Sequence, residues 1–216
     1  MIEKDLRPDR TAVKEIKKMR RIAGVVLAAG ASRRMGQQKL LLPWGPGNTI
    51  LGTVLDAVAE AELDQILLVS GADRMEIEAI AREKGINVVY NPRYLQGQST
   101  SLQCGLTALS ADTAAMFILG DQPYITRDIL STLATAYRQR GGIIVAPRTP
   151  DGRRGHPVVF SPLVFSELRA LTGDVGGRSV VEAHKDTIQY IDVSGDDVLR
   201  DVDTMAQYLD ARVRQT

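Results

Sequence analysis

The stretch that most constrains this chain is residues 22 to 43, Ile-Ala-Gly-Val-Val-Leu-Ala-Ala-Gly-Ala-Ser-Arg-Arg-Met-Gly-Gln-Gln-Lys-Leu-Leu-Leu-Pro. The apolar run from Ile22 to Leu27 reads as a strand buried on both faces. It empties into a loop of small residues, Ala28 to Gly36, which delivers Arg33, Arg34 and Lys39 in quick succession. Small residues let backbone N–H groups approach an anion closely, and the cations neutralise it. The combination describes a seat for a nucleoside triphosphate. The plainer reading is a strand-to-helix turn with solvated arginines.

Two familiar glycine loops do not fit. A P-loop has four residues between its glycines and a lysine directly after the second, followed by Ser or Thr. Here five residues separate Gly30 from Gly36, and Lys39 comes three positions later, followed by Leu40. A dinucleotide fingerprint needs G-x-G-x-x-G, yet Ala28 and Ala29 stand where its early glycines would fall. A nicotinamide oxidoreductase is disfavoured on that ground.

Several ordered motifs together resemble a known family. Leu27-Ala28-Ala29-Gly30-Ala31-Ser32-Arg33-Arg34-Met35-Gly36 with Lys39 is similar to the signature loop of the nucleotidyltransferases that activate molybdenum cofactor. It most resembles that of the molybdenum cofactor cytidylyltransferases, relatives of the molybdopterin-guanine dinucleotide synthases. Gly120-Asp121-Gln122-Pro123, Gly155-His156-Pro157-Val158 and Gly173-Asp174-Val175-Gly176-Gly177-Arg178 continue the likeness, over roughly residues 22 to 210.

Composition narrows the chemistry. A chain of 216 residues suffices for one full domain and would cramp two. A net charge of +1 disfavours a nucleic-acid binder. No segment approaches the ~20 apolar residues of a membrane helix, and the charged start shows no apolar signal core, so a cytoplasmic protein is expected. The single cysteine, Cys104, excludes an intrachain disulfide and suits that compartment. With two histidines and one cysteine, any metal must be hard and oxygen-bound, which points to Mg²⁺.

Residues 1 to 21 read as a charged N-terminal extension, with Val13, Ile16 and Met19 at helical spacing, and 22 to 216 as a single domain. Strands are predicted at Ile22–Leu27, Gln65–Val69, Asn87–Tyr90, Ala114–Leu119 and Ile143–Ala146. Helices are predicted at Thr49–Ala61, Asp73–Lys84, Ser99–Leu109 and Thr126–Arg140. Apolar strands alternating with helices predict an α/β fold, mostly parallel, with helices on both faces. The resemblance makes it the Rossmann-like nucleotidyltransferase fold. Pro157–Phe160 and Thr187–Asp192 read as further strands around helical Pro162–Leu171 and Arg178–His184, a small antiparallel insertion that roofs the site. Loops 28–39, 91–98 and 120–123 all follow strand ends, where open α/β sheets bind ligands.

The resemblance assigns roles. Asp121, at the end of a buried strand, would coordinate Mg²⁺, and Asp203, in Asp201-Val202-Asp203-Thr204, would be the second ligand unless it or Thr204 simply caps the following helix. Lys39 and Arg33 would join Asp121 as the catalytic set by gripping the triphosphate. Leu27, Ala28, Ala29 and Gly30 would line the nucleotide, with Gln98, Ser99 and Ser101 on its base or ribose; the alternative reading of Ser99 is a cap for its helix. His156 and Arg178 would face the acceptor. Cys104 reads as packing. The implied reaction moves CMP from CTP to the terminal phosphate of Mo-molybdopterin and releases pyrophosphate, with a molybdoenzyme as possible recipient. Guanylyl transfer, another phosphorylated acceptor, or a non-catalytic carrier of the cofactor are the alternatives.

Overall fold

Strand β1 (Ile22–Ala28) pairs in parallel on both sides, with β2 (Gln65–Ser70) and with β4 (Ala114–Leu119). Its alternate residues serve two cores: Val26 belongs to the cluster on one face and Val25 to that on the other. That is why the run carries no polar alternation. The structure is a computed structural model that describes residues 20–32 and 35–213. The helical spacing at Val13, Ile16 and Met19 lies outside the described residues, as do Arg33 and Arg34.

β3 (Asn87–Tyr90), β5 (Ile144–Arg148), β6 (Val158–Phe160) and β7 (Ile188–Asp192) complete a sheet in the order β3-β2-β1-β4-β6-β5-β7. Every pairing is parallel except those of β6, which runs antiparallel between β4 and β5, with Val159 opposite both Met116 and Val145. The antiparallel element expected as a roof is therefore an inner strand. Val158, Val159 and Phe160 are consecutive buried residues, and β4 and β5 take up both hydrogen-bonding edges of their strand.

Four helices cover one face: α1 (Ile50–Glu60), α2 (Arg74–Glu83), α4 (Arg127–Arg140) and α7 (Met205–Val213). Three cover the other: α3 (Gln98–Thr107), α5 (Phe165–Ala170) and α6 (Arg178–Ala183). Thr49 and Thr126 cap α1 and α4 by accepting from the N–H groups of Gly52 and Ile129. The stretch predicted as one helix over Pro162–Leu171 begins instead as a 3₁₀ turn, Pro162–Val164, before α5. Fully buried Leu51, Leu55, Ile118 and Leu130 pack the first face; each such side chain contributes about 1.5–3 kcal/mol on leaving water. Chain connections diverge between β1 and β4, so the loops leaving those strands frame an open crevice at their carboxyl ends.

Candidate active site

That crevice is a cleft of about 710 Å³. Leu27, Ala28, Ala29, Gly30, Ser32, Met35 and Lys39 line it from the first loop, and Leu119 and Asp121 from the end of β4. Tyr94 to Gln98, Ser101, Asp174, Asp201 and Asp203 close the remaining sides.

Gln38 shapes the first loop. Its amide nitrogen donates to the Gly30 carbonyl at 3.0 Å and to Asp73 Oδ2 at 2.8 Å, while its Oε1 accepts from the Ser32 hydroxyl at 2.7 Å. Ser32 sits at φ 45° and its Oγ accepts from the Lys39 N–H at 3.2 Å. The loop after β2 presses against the same turn: a Cβ on Gly71 would lie 2.6 Å from the Ala29 carbonyl oxygen, so that position requires glycine. Lys39 therefore leaves a short 3₁₀ turn, Lys39–Leu41, from a fixed backbone.

Lys39 Nζ lies 2.6 Å from Asp121 Oδ2 and 2.7 Å from Asp203 Oδ1. Burial alone would lower the pKa of this ammonium, but Asp121 and then Asp203 outweigh it and raise it. Asp203 is held by its neighbours. The Val202 N–H donates to the Asp121 carbonyl at 3.0 Å, and buried Val202 separates Asp203 from Asp201, another of the cleft carboxyls. Thr204 caps α7: the Gln207 N–H donates to Thr204 Oγ1 at 3.2 Å, and Gln207 Oε1 accepts from the N–H groups of Thr204 and Asp203. This capping box answers the orphan amides, and the Asp203 carboxylate meets Lys39. Asp201 has its pKa raised by burial and by the charges of Asp203 and Asp121.

Two carboxylates that converge on one cationic nitrogen make an oxygen-only, anionic donor pair, which suits a hard divalent cation. Among the described residues no cluster of three or more His, Cys, Asp or Glu side chains is built to hold a metal. Substrate phosphate and water would have to complete the shell.

The second wall is a pair of interlocked loops. Gly97 has φ 109°, and a Cβ there would stand 2.2 Å from the Gly173 carbonyl carbon. Ser99 is buried, and its hydroxyl donates to the Gly173 carbonyl at 2.8 Å; it neither lines the cleft nor caps α3, whose cap position is Gly97. Gln98 and Ser101 do line the cleft. Buried Asn91 donates to Thr100 Oγ1 at 2.8 Å and to Ser101 Oγ at 3.0 Å, so the Ser101 O–H is left to donate elsewhere. Cys104 packs with its thiol toward the Tyr90 carbonyl.

His156 and Arg178 are not brought to this cleft. His156 follows Gly155, which is pressed against Val198, and its ring is largely buried with Nδ1 lacking a hydrogen-bond partner among the described residues. Burial, then the Arg154 charge, lowers its pKa to about 4, so the ring is neutral at pH 7. Arg178 is exposed at the start of α6. Gln122 points inward, 3% exposed. Asp201, Asp174, Gln38 and Asn91 are the site residues sequence reasoning missed. The acid-apolar-acid run Asp201-Val202-Asp203 could have revealed the first; the others lie in the loops 28–39 and 91–98 and the Gly173–Arg178 motif, which mark the region without marking those residues.

A doubly covered, mostly parallel sheet with a small-residue loop, a lysine and paired aspartates at its switch point is the setting of a nucleotidyltransferase, and the family comparison gives that class. The chain belongs to the family of the MobA-like NTP transferase domain, whose model matches residues 24–188. It is 29% identical over 195 residues to the molybdenum cofactor cytidylyltransferase of Escherichia coli K12, covering 89% of this chain and 96% of that protein. It is 28% identical over 195 residues to the nicotine blue oxidoreductase of Paenarthrobacter nicotinovorans, covering 86% and 94%. Over a shorter 145 residues it is 36% identical to the molybdenum cofactor guanylyltransferase of Mesorhizobium japonicum, 64% of this chain and 66% of that one. The crystal structure of Rv0371c from Mycobacterium tuberculosis H37Rv superposes with a TM-score of 0.78 at 33% identity, covering 92% of this chain and all of that one. That protein has also been crystallised with manganese, at a TM-score of 0.73 and 31% identity over 88% of this chain and 97% of that one.

Proposed function

We propose that this protein transfers CMP from CTP to the terminal phosphate of Mo-molybdopterin in the cytoplasm, forming molybdopterin cytosine dinucleotide and releasing pyrophosphate. The observation that carries the reading is Lys39 held between Asp121 and Asp203 beside the small-residue loop. The likeness to the cytidylyltransferase along nearly the whole of both chains supports it. The catalytic unit spans 22–216, with 1–21 an extension outside it.

Asp121 and Asp203 would hold Mg²⁺, which when bound supplies charge neutralisation on the α-phosphate. Backbone N–H groups from Ala28 to Gly30 cradle the triphosphate, and Lys39, joined by Arg33, neutralises it. The Ser101 hydroxyl, its polarity set by Asn91, donates to the base, where the O2 and N3 acceptors of cytosine suit it. The acceptor phosphate is ionised at neutral pH and attacks in line without a general base. Catalysis then rests on positioning and on charge placed in advance. His156 and Arg178 serve the acceptor side, outside the nucleotide cleft, and a molybdoenzyme receives the product.

A pyrophosphate-release assay with each of the four NTPs, with and without Mo-molybdopterin, tests the proposal. Release should require both CTP and the pterin. The guanylyltransferase relative favours a second reading, in which GTP is the donor to the same acceptor. Release with another phosphorylated acceptor would replace Mo-molybdopterin, and tight cofactor binding without turnover would make the protein a carrier.

A further inference from the structure

Lys39 occupies one position where the proposed reaction asks for two. The carboxylate oxygens that would face a divalent cation, Asp121 Oδ2 and Asp203 Oδ1, are the oxygens that the Lys39 ammonium binds. The same ammonium is the group that would meet the triphosphate. It cannot do both at once.

We propose that Lys39 is a built-in competitor for the cation position, so that the site admits a divalent ion together with a triphosphate and resists the ion alone. This rests on the nucleotidyltransferase reading of the cleft. The scaffold around the exchange is fixed. The Lys39 backbone is tied through Ser32, Asp203 precedes the capping box of Thr204 and Gln207, and Val202 is bonded to the Asp121 carbonyl. Only the flexible four-carbon lysine stem has to swing, from carboxylates to phosphate oxygens. Metal alone gives the departing ammonium no new anion, whereas a triphosphate does. The pair therefore opens when both ligands are present. A ligand whose binding-competent state is a minor population loses apparent affinity by that fraction, so a seat closed about nine-tenths of the time binds free ion about tenfold more weakly.

Mn²⁺ binding followed by electron paramagnetic resonance, with and without the α,β-methylene analogue of CTP, tests this on the full chain. The unmodified protein should bind Mn²⁺ weakly alone and about tenfold more tightly with the analogue. Lys39→Met should bind Mn²⁺ alone about tenfold more tightly than the unmodified protein, and the analogue should raise its affinity by a smaller factor than it does in the unmodified protein. Lys39→Gln serves if the methionine variant does not fold. A lysine variant with no gain in Mn²⁺ affinity overturns the exchange while leaving the site reading intact. Asp121→Asn separates the two ideas: it should lose Mn²⁺ under both conditions, and if it retains Mn²⁺ the site reading itself falls.

Discussion

The Tyr208 hydroxyl donates a 2.8 Å hydrogen bond to the carbonyl of Pro43, tying α7 to the segment that carries Lys39. Trp44 lies edge-on to Tyr124 at 5.3 Å and beside Tyr208 at 6.4 Å, and Arg200 stacks over Tyr124 at 3.6 Å. This aromatic cluster brings Asp203 within reach of Lys39. Tyr208→Phe should cost about 1 kcal/mol, the size of one hydrogen bond, and leave turnover nearly intact. Tyr208→Ala should cost about 3–5 kcal/mol and reduce turnover, because α7 loosens with Asp203 at its start. Urea denaturation and steady-state assays check both. Equal activity in the alanine variant would show that α7 is not needed to hold Asp203.

Asp121→Asn should cut turnover severely while leaving the melting temperature close to that of the unmodified protein. The side chain is partly exposed at a strand end, and its only described ion pair is with Lys39. Removing one preorganised charge contact of this kind costs on the order of 10²–10³ in rate. Near-normal kcat at saturating Mg²⁺ would take Asp121 out of the metal site.

His156 predicts an acid-side loss of stability. Its pKa is about 4 in the folded protein, against about 6.5 for an unfolded histidine. Between those values the unfolded chain binds more protons, so stability is full above about pH 6.5 and falls as the pH drops toward 4. At pH 5 the loss from this ring is about 2 kcal/mol. His156→Gln should therefore lose less stability than the unmodified protein between pH 7 and pH 5 in urea denaturation. An unchanged pH dependence would show that the ring is not desolvated. If the residue also serves the acceptor, the variant raises the pterin KM more than the nucleotide KM.

Ala29 bears on the choice of nucleotide. It lines the cleft but is 5% exposed, with its methyl facing Gly71 between the loops after β1 and β2. Removing that methyl should relax the turn and admit some GTP. A change of this size is worth about 1–3 kcal/mol of discrimination. The kcat/KM ratio of CTP to GTP should fall in Ala29→Gly. Equal values for the two nucleotides in the unmodified protein would exclude the cytidylyl assignment and spare the nucleotidyltransferase.

The order of strands and helices, the doubly covered sheet and the small-residue loop at its edge were legible in the sequence because each rests on local pattern. Ile22–Leu27 has no polar residue to face water, and Thr49 and Thr126 stand where helices need caps. Asp121 and Lys39 were placed near the cleft by local pattern: Asp121 follows Gly120 at the end of β4, and Lys39 comes at the end of the small-residue loop that leaves β1. Only the tertiary structure decided what these residues touch. Lys39, Asp121 and Asp203 are separated by more than eighty positions each way along the chain, and no local pattern reports that their charges meet. The placement of β6 inside the sheet depended on neighbours from β4 and β5, and Ser99 was turned away from the cleft by the distant Gly173 carbonyl. Backbone propensity acts over a few residues, whereas the geometry of a site is set by which distant surfaces become buried together.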